Sequence, residues 1–205
     1  MSTKQKRYFL TEEEIPTQWY NIQADMTTKP MPPLNPSTKE PLTVDDLAQI
    51  FPRECCVQEL DTENAWIDIP EDVLEKYKFY RSTPLVRAYA LEEALGTPAH
   101  IYFKNESVNP LGSHKINSAL PQCYYAKQEG TENVTTETGA GQWGMALSYA
   151  SKLYGLEAAV YQVKITMQQK PYRSTVMRTF GAAVTASPSM STRAGKDIIT
   201  RDPRH

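Results

Sequence analysis

From Pro98 onward the chain settles into a regular alternation of short apolar, β-favouring runs and longer helix-like runs, punctuated by glycine. The runs predict strands over 99–104, 133–136, 157–163 and 182–186, and helices over 113–129, 143–154, 170–180 and 191–200. Gly130, Gly155 and Gly181 stand where helices stop. Four strand–helix pairs with short connections argue for a parallel sheet covered by helices, in the α/β class. Ligands of such sheets bind outside the carboxyl ends of the strands, so the loops that follow 104 and 136 are where chemistry is expected.

Before residue 98 the pattern is looser. Residues 1–42 are polar and proline-dense, and 29–36 must be extended because each proline restricts its predecessor. Thr11-Glu12-Glu13-Glu14 matches a capping box, but Pro16 leaves room for only a turn or two of helix. A short capped helix is expected over 43–50. A better one is expected over 70–80, with proline at the first position, acids Glu71 and Asp72 at the positive end, and Val73, Leu74 and Tyr77 on one face. A run over 90–95 stops at Gly96. The expected organisation is therefore an extended amino-terminal wrap with short helices over 1–80, and an α/β portion over 81–205. Pro121 falls inside the helix over 113–129, where it removes the hydrogen bond to the Asn117 carbonyl and predicts a structural kink.

Composition narrows the field. With 205 residues, 40% hydrophobic and 22% charged, the chain can bury a substantial core, and a net charge of −2 gives no reason to expect a nucleic-acid partner. No apolar run approaches the ~18 residues of a membrane span, and Met1-Ser2-Thr3-Lys4-Gln5-Lys6-Arg7 has no apolar leader segment behind it, so no membrane association and a cytoplasmic setting are expected. Cys55, Cys56 and Cys123 lack zinc-site spacing and read as reduced thiols packed in the core. His100, His114 and His205 are too dispersed to suggest a metal cluster, so no metal is expected.

Two stretches carry candidate chemistry. Asn109-Pro110-Leu111-Gly112-Ser113-His114-Lys115-Ile116-Asn117 reads as a tight turn opening a helix, with Ser113 as N-cap and Lys115 in the first turn. Helix-start amides favour a bound anion there, and a partly desolvated lysine amine can form an imine with an aldehyde. Taken by itself Lys115 reads as an ordinary solvated lysine. The second stretch, Glu137-Thr138-Gly139-Ala140-Gly141-Gln142-Trp143-Gly144, follows a strand and precedes a helix. Its small residues let the backbone approach a ligand closely, and its consecutive amides form an anion nest.

Gly112-Ser113-His114-Lys115-Ile116-Asn117 followed by Glu137-Thr138-Gly139-Ala140-Gly141-Gln142 strongly resembles the tryptophan synthase β family, pyridoxal-phosphate enzymes of fold type II. Arg81-Ser82-Thr83-Pro84-Leu85 is similar to that family's entry motif, with Ser82 in place of proline. Gln169-Lys170-Pro171-Tyr172-Arg173 and the long amino terminus resemble the second type of β chain. The resemblance implies a three-layer αβα fold with parallel sheets, incomplete at the carboxyl end. It implies pyridoxal 5'-phosphate held as an imine on Lys115, with His114 beside the cofactor phosphate and Asn117 facing the ring substituents. Thr138, Gly139, Ala140, Gly141 and Gln142 would hold the substrate carboxylate, and Glu137 would be the acid and base. Trp143 stands where many members have histidine, and its role stays open.

The implied reaction is β-replacement, L-serine and indole giving L-tryptophan and water, in tryptophan biosynthesis. A homodimer and an α-type subunit are the implied partners. The family's glycine-serine-rich phosphate loop and its pyridine-nitrogen partner have no counterpart here, and Thr200-Arg201-Asp202-Pro203-Arg204-His205 resembles the middle of the family pattern. A fragment, inactive alone, is the expectation. Two alternatives remain: another fold type II enzyme such as a threonine or cysteine synthase, and a catalytically silent chain that acts as a binding partner.

Overall fold

A computed structural model describes residues 4–202; Met1–Thr3 and Pro203–His205, the ends read above for a leader and for continuation, lie outside the described residues. Early in the chain two short strands, β1 (Arg7–Tyr8) and β2 (Gln18–Tyr20), precede the short helix α1 (Val44–Leu47) and α2 (Arg53–Leu60). Thr43 caps α1 through the Asp46 amide, as the sequence suggested, and Thr11 forms its capping box with Glu14. Strand β3 (Trp66–Asp68) pairs antiparallel with β2 and leads through Pro70 into α3 (Glu71–Lys78). Helix α2 was not expected, because its few apolar residues do not line up on one face.

Next come β4 (Leu85–Arg87), α4 (Tyr89–Leu95) and β5 (Tyr102–Lys104). The strand predicted over 99–104 does not join the parallel sheet. As β5 it pairs antiparallel with β4, which also pairs with β1, in the order β1-β4-β5. The reason lies in burial: all three β5 residues are exposed, and strands of a parallel sheet require cover on both faces.

The remainder is α5 (Ile116–Gln128), β6 (Asn133–Thr138), α6 (Gln142–Tyr154), β7 (Glu157–Val163), α7 (Lys164–Gln169), α8 (Pro171–Thr179), β8 (Ala183–Ser187) and α9 (Arg193–Arg201). Strands β6, β7 and β8 form a parallel sheet in that order, with Thr138 opposite Gln162 and Val163 opposite Ser187. The fold is thus mixed α/β with a parallel sheet. Helix α7 was missed because it continues directly from β7 with no turn residue between Val163 and Lys164.

One core joins α3, α5 and α6 through Val73, Tyr77, Ile116, Ala119, Leu120, Cys123, Ala146 and Ala150. A second joins the sheet to α6 and α8 through Met145, Ala158, Val160 and Met177. Gly144 makes that approach possible, since a Cβ there would lie 2.6 Å from Met177 Sδ and 2.9 Å from Val160 Cγ1. Among the described residues no strand pairs with the outer edge of β6. A cleft of about 640 Å³ runs along it, lined by Asn133–Thr136, Cys123 and Ile50.

Candidate active site

The connections of β6 fix where the two candidate stretches lie. Helix α5 ends at Gln128 and turns through Gly130 into β6, while α6 starts just after β6 ends and returns through Gly155 to Glu157, which pairs with Asn133. Side by side, α5 and α6 pack with Cys123 Sγ 3.7 Å from Ser151 Oγ. Eight residues separate Lys115 from Cys123 and ten separate Gly141 from Ser151. At helical rise the two starts lie about 12 and 15 Å back along their axes. Both starts therefore lie on the side of the carboxyl end of β6, at neighbouring ends of two packed helices. Leu111 and Trp143, which flank the two starts, pack on the same core.

The turn before Lys115 is built by Asn109, which is 6% exposed. Its Oδ1 accepts from the amides of Leu111 (3.0 Å) and Ser113 (3.3 Å), and its Nδ2 donates to the Ser113 carbonyl (2.9 Å). The Asn117 amide donates to the His114 carbonyl at 3.0 Å rather than to that of Ser113, and regular helix begins at Ile116. Ser113 is therefore not the N-cap. Its Oγ accepts from the Lys115 amide at 3.4 Å, and Lys115 occupies the N-cap position. Behind Asn109 stands Glu106, which accepts from Asn109 Nδ2 and from Thr83 Oγ1 (2.6 Å). Thr83 and Glu106 had no assigned role in the sequence reading, although Thr83 lies in the Arg81–Leu85 motif.

Lys115 is half-buried and its Nζ has no hydrogen-bond or ion-pair partner among the described residues; His114 is exposed. Lys104 is exposed, yet desolvation lowers its ammonium pKa against the opposing charge of Glu106. Its Nζ, however, is engaged by the Thr83 carbonyl. Asn117 is held twice: its main-chain carbonyl accepts from Tyr77 Oη at 2.5 Å, and its Oδ1 accepts from Tyr80 Oη at 2.7 Å. The second bond leaves the amide nitrogen, a pure donor, as the open end of the side chain.

In the second loop Thr138 is buried, and its Oγ1 accepts from the Gly144 amide at 3.2 Å. Gly141 adopts φ +95°, which favours glycine, and a Cβ there would lie 3.0 Å from Arg173 Cδ. The amides of Ala140, Gly141, Gln142 and Trp143 donate to no group among the described residues, so the start of α6 presents consecutive free N–H groups. Glu137 is exposed and leaves β6 on the face opposite Thr138. Trp143 Nε1 donates to Thr136 Oγ1 at 2.9 Å. The geometry thus brings Lys115, His114 and Asn117 to the same end of the fold as Thr138–Gln142.

An uncommitted amine beside uncommitted amides is what an aldehyde-bearing, anionic cofactor and its substrate require, and the chain belongs to the pyridoxal-phosphate-dependent enzyme family, which matches residues 77–202. Its curated relatives narrow the class. The chain is 53% identical over 194 residues to a "Tryptophan synthase beta chain 2" of Thermotoga maritima, covering 95% of this chain and 46% of that one. It is 51% identical over 197 residues to a "Tryptophan synthase beta chain" of Thermococcus gammatolerans, covering 96% and 44%. The chain therefore spans less than half the length of these relatives. A solved pyridoxal 5'-phosphate-dependent aspartate racemase aligns at 24% identity with a TM-score of 0.48, over 67% of this chain and 45% of that one.

Proposed function

We propose that this chain carries the lysine and the carboxylate-holding loop of a β-replacement enzyme that joins L-serine and indole to give L-tryptophan and water. The observation that carries the reading is that α5, with Lys115 at its N-cap, and α6, with the free amides of Ala140–Trp143, both start at the carboxyl end of β6. The curated relatives' names supply the reaction.

Pyridoxal phosphate, when bound, supplies the electron sink that lets the Cα–H bond of serine break. Lys115 would hold the cofactor through its aldehyde, and its amine would take the Cα proton. His114 would lie beside the cofactor phosphate. Asn117, with its Oδ1 accepting from Tyr80, would offer its NH2 to an oxygen on the cofactor ring. The amides of Thr138–Gln142 hold the serine carboxylate at the positive end of α6. Glu137 protonates the departing hydroxyl and later accepts the proton that indole loses.

The relatives are more than twice as long, so this reading also holds that residues 1–205 alone bind the cofactor weakly and do not turn over. A homodimer, an α-type subunit and a cytoplasmic setting belong to the same proposal; its three thiols are unpaired, as such a setting requires. The test is tryptophan formation from L-serine and indole by the chain combined with the carboxyl-terminal half of the Thermotoga maritima relative. Activity abolished by Lys115→Ala is expected. Activity that prefers sulfide to indole as acceptor, or that survives Lys115→Ala, would overturn the reading.

A further inference from the structure

The second loop is held from below by residues far along the chain. Arg173, in α8, donates from its guanidinium to the carbonyl of Ala140. Thr166, in α7, places its hydroxyl on the Gly139 carbonyl while also lying 2.8 Å from Val163 O, so its single proton serves one acceptor at a time. Gln162, in β7, is fully buried beneath the same loop, with Oε1 accepting from Ser174 Oγ at 2.9 Å. Its Nε2 has no partner among the described residues and would lie 3.2 Å from a Cβ at Gly141. All three side chains therefore face the loop with donors.

A trans peptide points its C=O and the following N–H in opposite directions. Fixing the Ala140 carbonyl on Arg173 turns the Gly141 N–H away from α8, and fixing the Gly139 carbonyl on Thr166 turns the Ala140 N–H away from α7. We propose that Arg173, assisted by Thr166, is a positioning residue of the carboxylate site: it clamps the loop's carbonyls inward so that the Ala140 and Gly141 N–H groups face the substrate. The guanidinium and the unpaired Gln162 amide also place positive ends beneath those peptides, which favours an anion above them. This rests on the reading that the loop holds a substrate carboxylate.

The test uses the 205-residue chain, isotope-labelled, with Arg173→Met, Arg173→Lys and Thr166→Val. Backbone order parameters of 139–142 report the clamp without any ligand. In the parent chain they are expected near the rigid value of ~0.85, and in Arg173→Met below ~0.6. Amide shifts of Ala140 and Gly141 then follow titration with L-serine and, separately, with its methyl ester, which lacks the carboxylate. Arg173→Met is expected to weaken L-serine binding roughly tenfold while leaving the ester unchanged, with partial recovery in Arg173→Lys and a smaller loss in Thr166→Val. Order parameters unchanged in Arg173→Met would overturn the clamp. An equal loss for serine and its ester would reduce Arg173 to a structural role. A parent chain whose Ala140 and Gly141 amides do not respond to L-serine would overturn the carboxylate reading itself, whatever the order parameters show.

Discussion

Tyr77 donates its phenolic hydrogen to the main-chain carbonyl of Asn117 at 2.5 Å, and that carbonyl is the one Pro121 deprives of its helical partner. The proline within α5 is thus compensated by a side chain from α3, two residues beyond Lys115. Removing the hydroxyl while keeping the ring should leave a buried acceptor unsatisfied. Tyr77→Phe is expected to cost about 1–3 kcal/mol in urea unfolding. In Pro121→Ala, where an N–H returns to position 121, the same change should cost measurably less. Equal costs in the two backgrounds would break the link between proline and tyrosine.

Alkaline pH should unfold the chain through groups buried in their neutral forms. Desolvation pushes the Tyr77 phenol up to about 12 from an ordinary 10.0, and the Cys123 thiol up to about 11 from 9.0. Each folded value lies above the unfolded one, so the stabilisation is complete below the unfolded pKa and is lost as pH rises through the folded one. The stability attributable to Cys123 should fall between pH 9 and 11, and that of Tyr77 between pH 10 and 12. Urea titrations across this range should show Cys123→Ala flattening the first part and Tyr77→Phe the second; parallel curves for all three proteins would contradict the assignment.

Two glycines of one loop and helix should behave oppositely. A Cβ at Gly144 would meet Met177, Thr138 and Val160, all closer than 3.0 Å, whereas one at Gly139 meets nothing within 4 Å. Gly144→Ala is expected to destabilise by about 1–3 kcal/mol through overpacking between α6 and the sheet. Gly139→Ala should stay within ~0.5 kcal/mol of the parent. Thermal melts of both variants check this directly.

Asn109 satisfies two amides and one carbonyl of the turn that delivers Lys115. Asn109→Ala is expected to cost about 1–3 kcal/mol. It should also change the rate at which Lys115 reacts with an amine-directed reagent, read by peptide mass spectrometry, while exposed lysines such as Lys127 react as before. An unchanged Lys115 rate would show that the turn does not set its exposure.

How much of this was visible in the sequence depends on how local each cause is. Strand β7 appeared at its predicted bounds because Gly155 breaks the chain before it and its apolar run stops at Val163, where charged Lys164 follows. The loop at Gly139–Gly141 was visible because small residues cluster there. The start of α5 was placed too early because residues 109–113 form a turn held by the Asn109 side chain, a contact that a local cap signal does not encode. Segment 99–104 was correctly a strand over its last three residues, but its partner is set by β4 and β1, which sequence alternation does not encode. Arg173 and Thr166 were unreadable as supports of the glycine loop, since only the packing of α7 and α8 against the sheet and α6 brings them there. Tyr77 and Tyr80 were likewise read only as parts of a helix, one of them on its apolar face.

The account stands or falls on whether Lys115 is the amine that pyridoxal phosphate finds. Incubating the 205-residue chain with pyridoxal phosphate, reducing with borohydride and mapping the modified peptides by mass spectrometry asks this directly. Preferential modification of Lys115, lost in Lys115→Ala without transfer to a neighbour, is predicted. Modification concentrated on Lys104, or spread evenly over the exposed lysines, would contradict it.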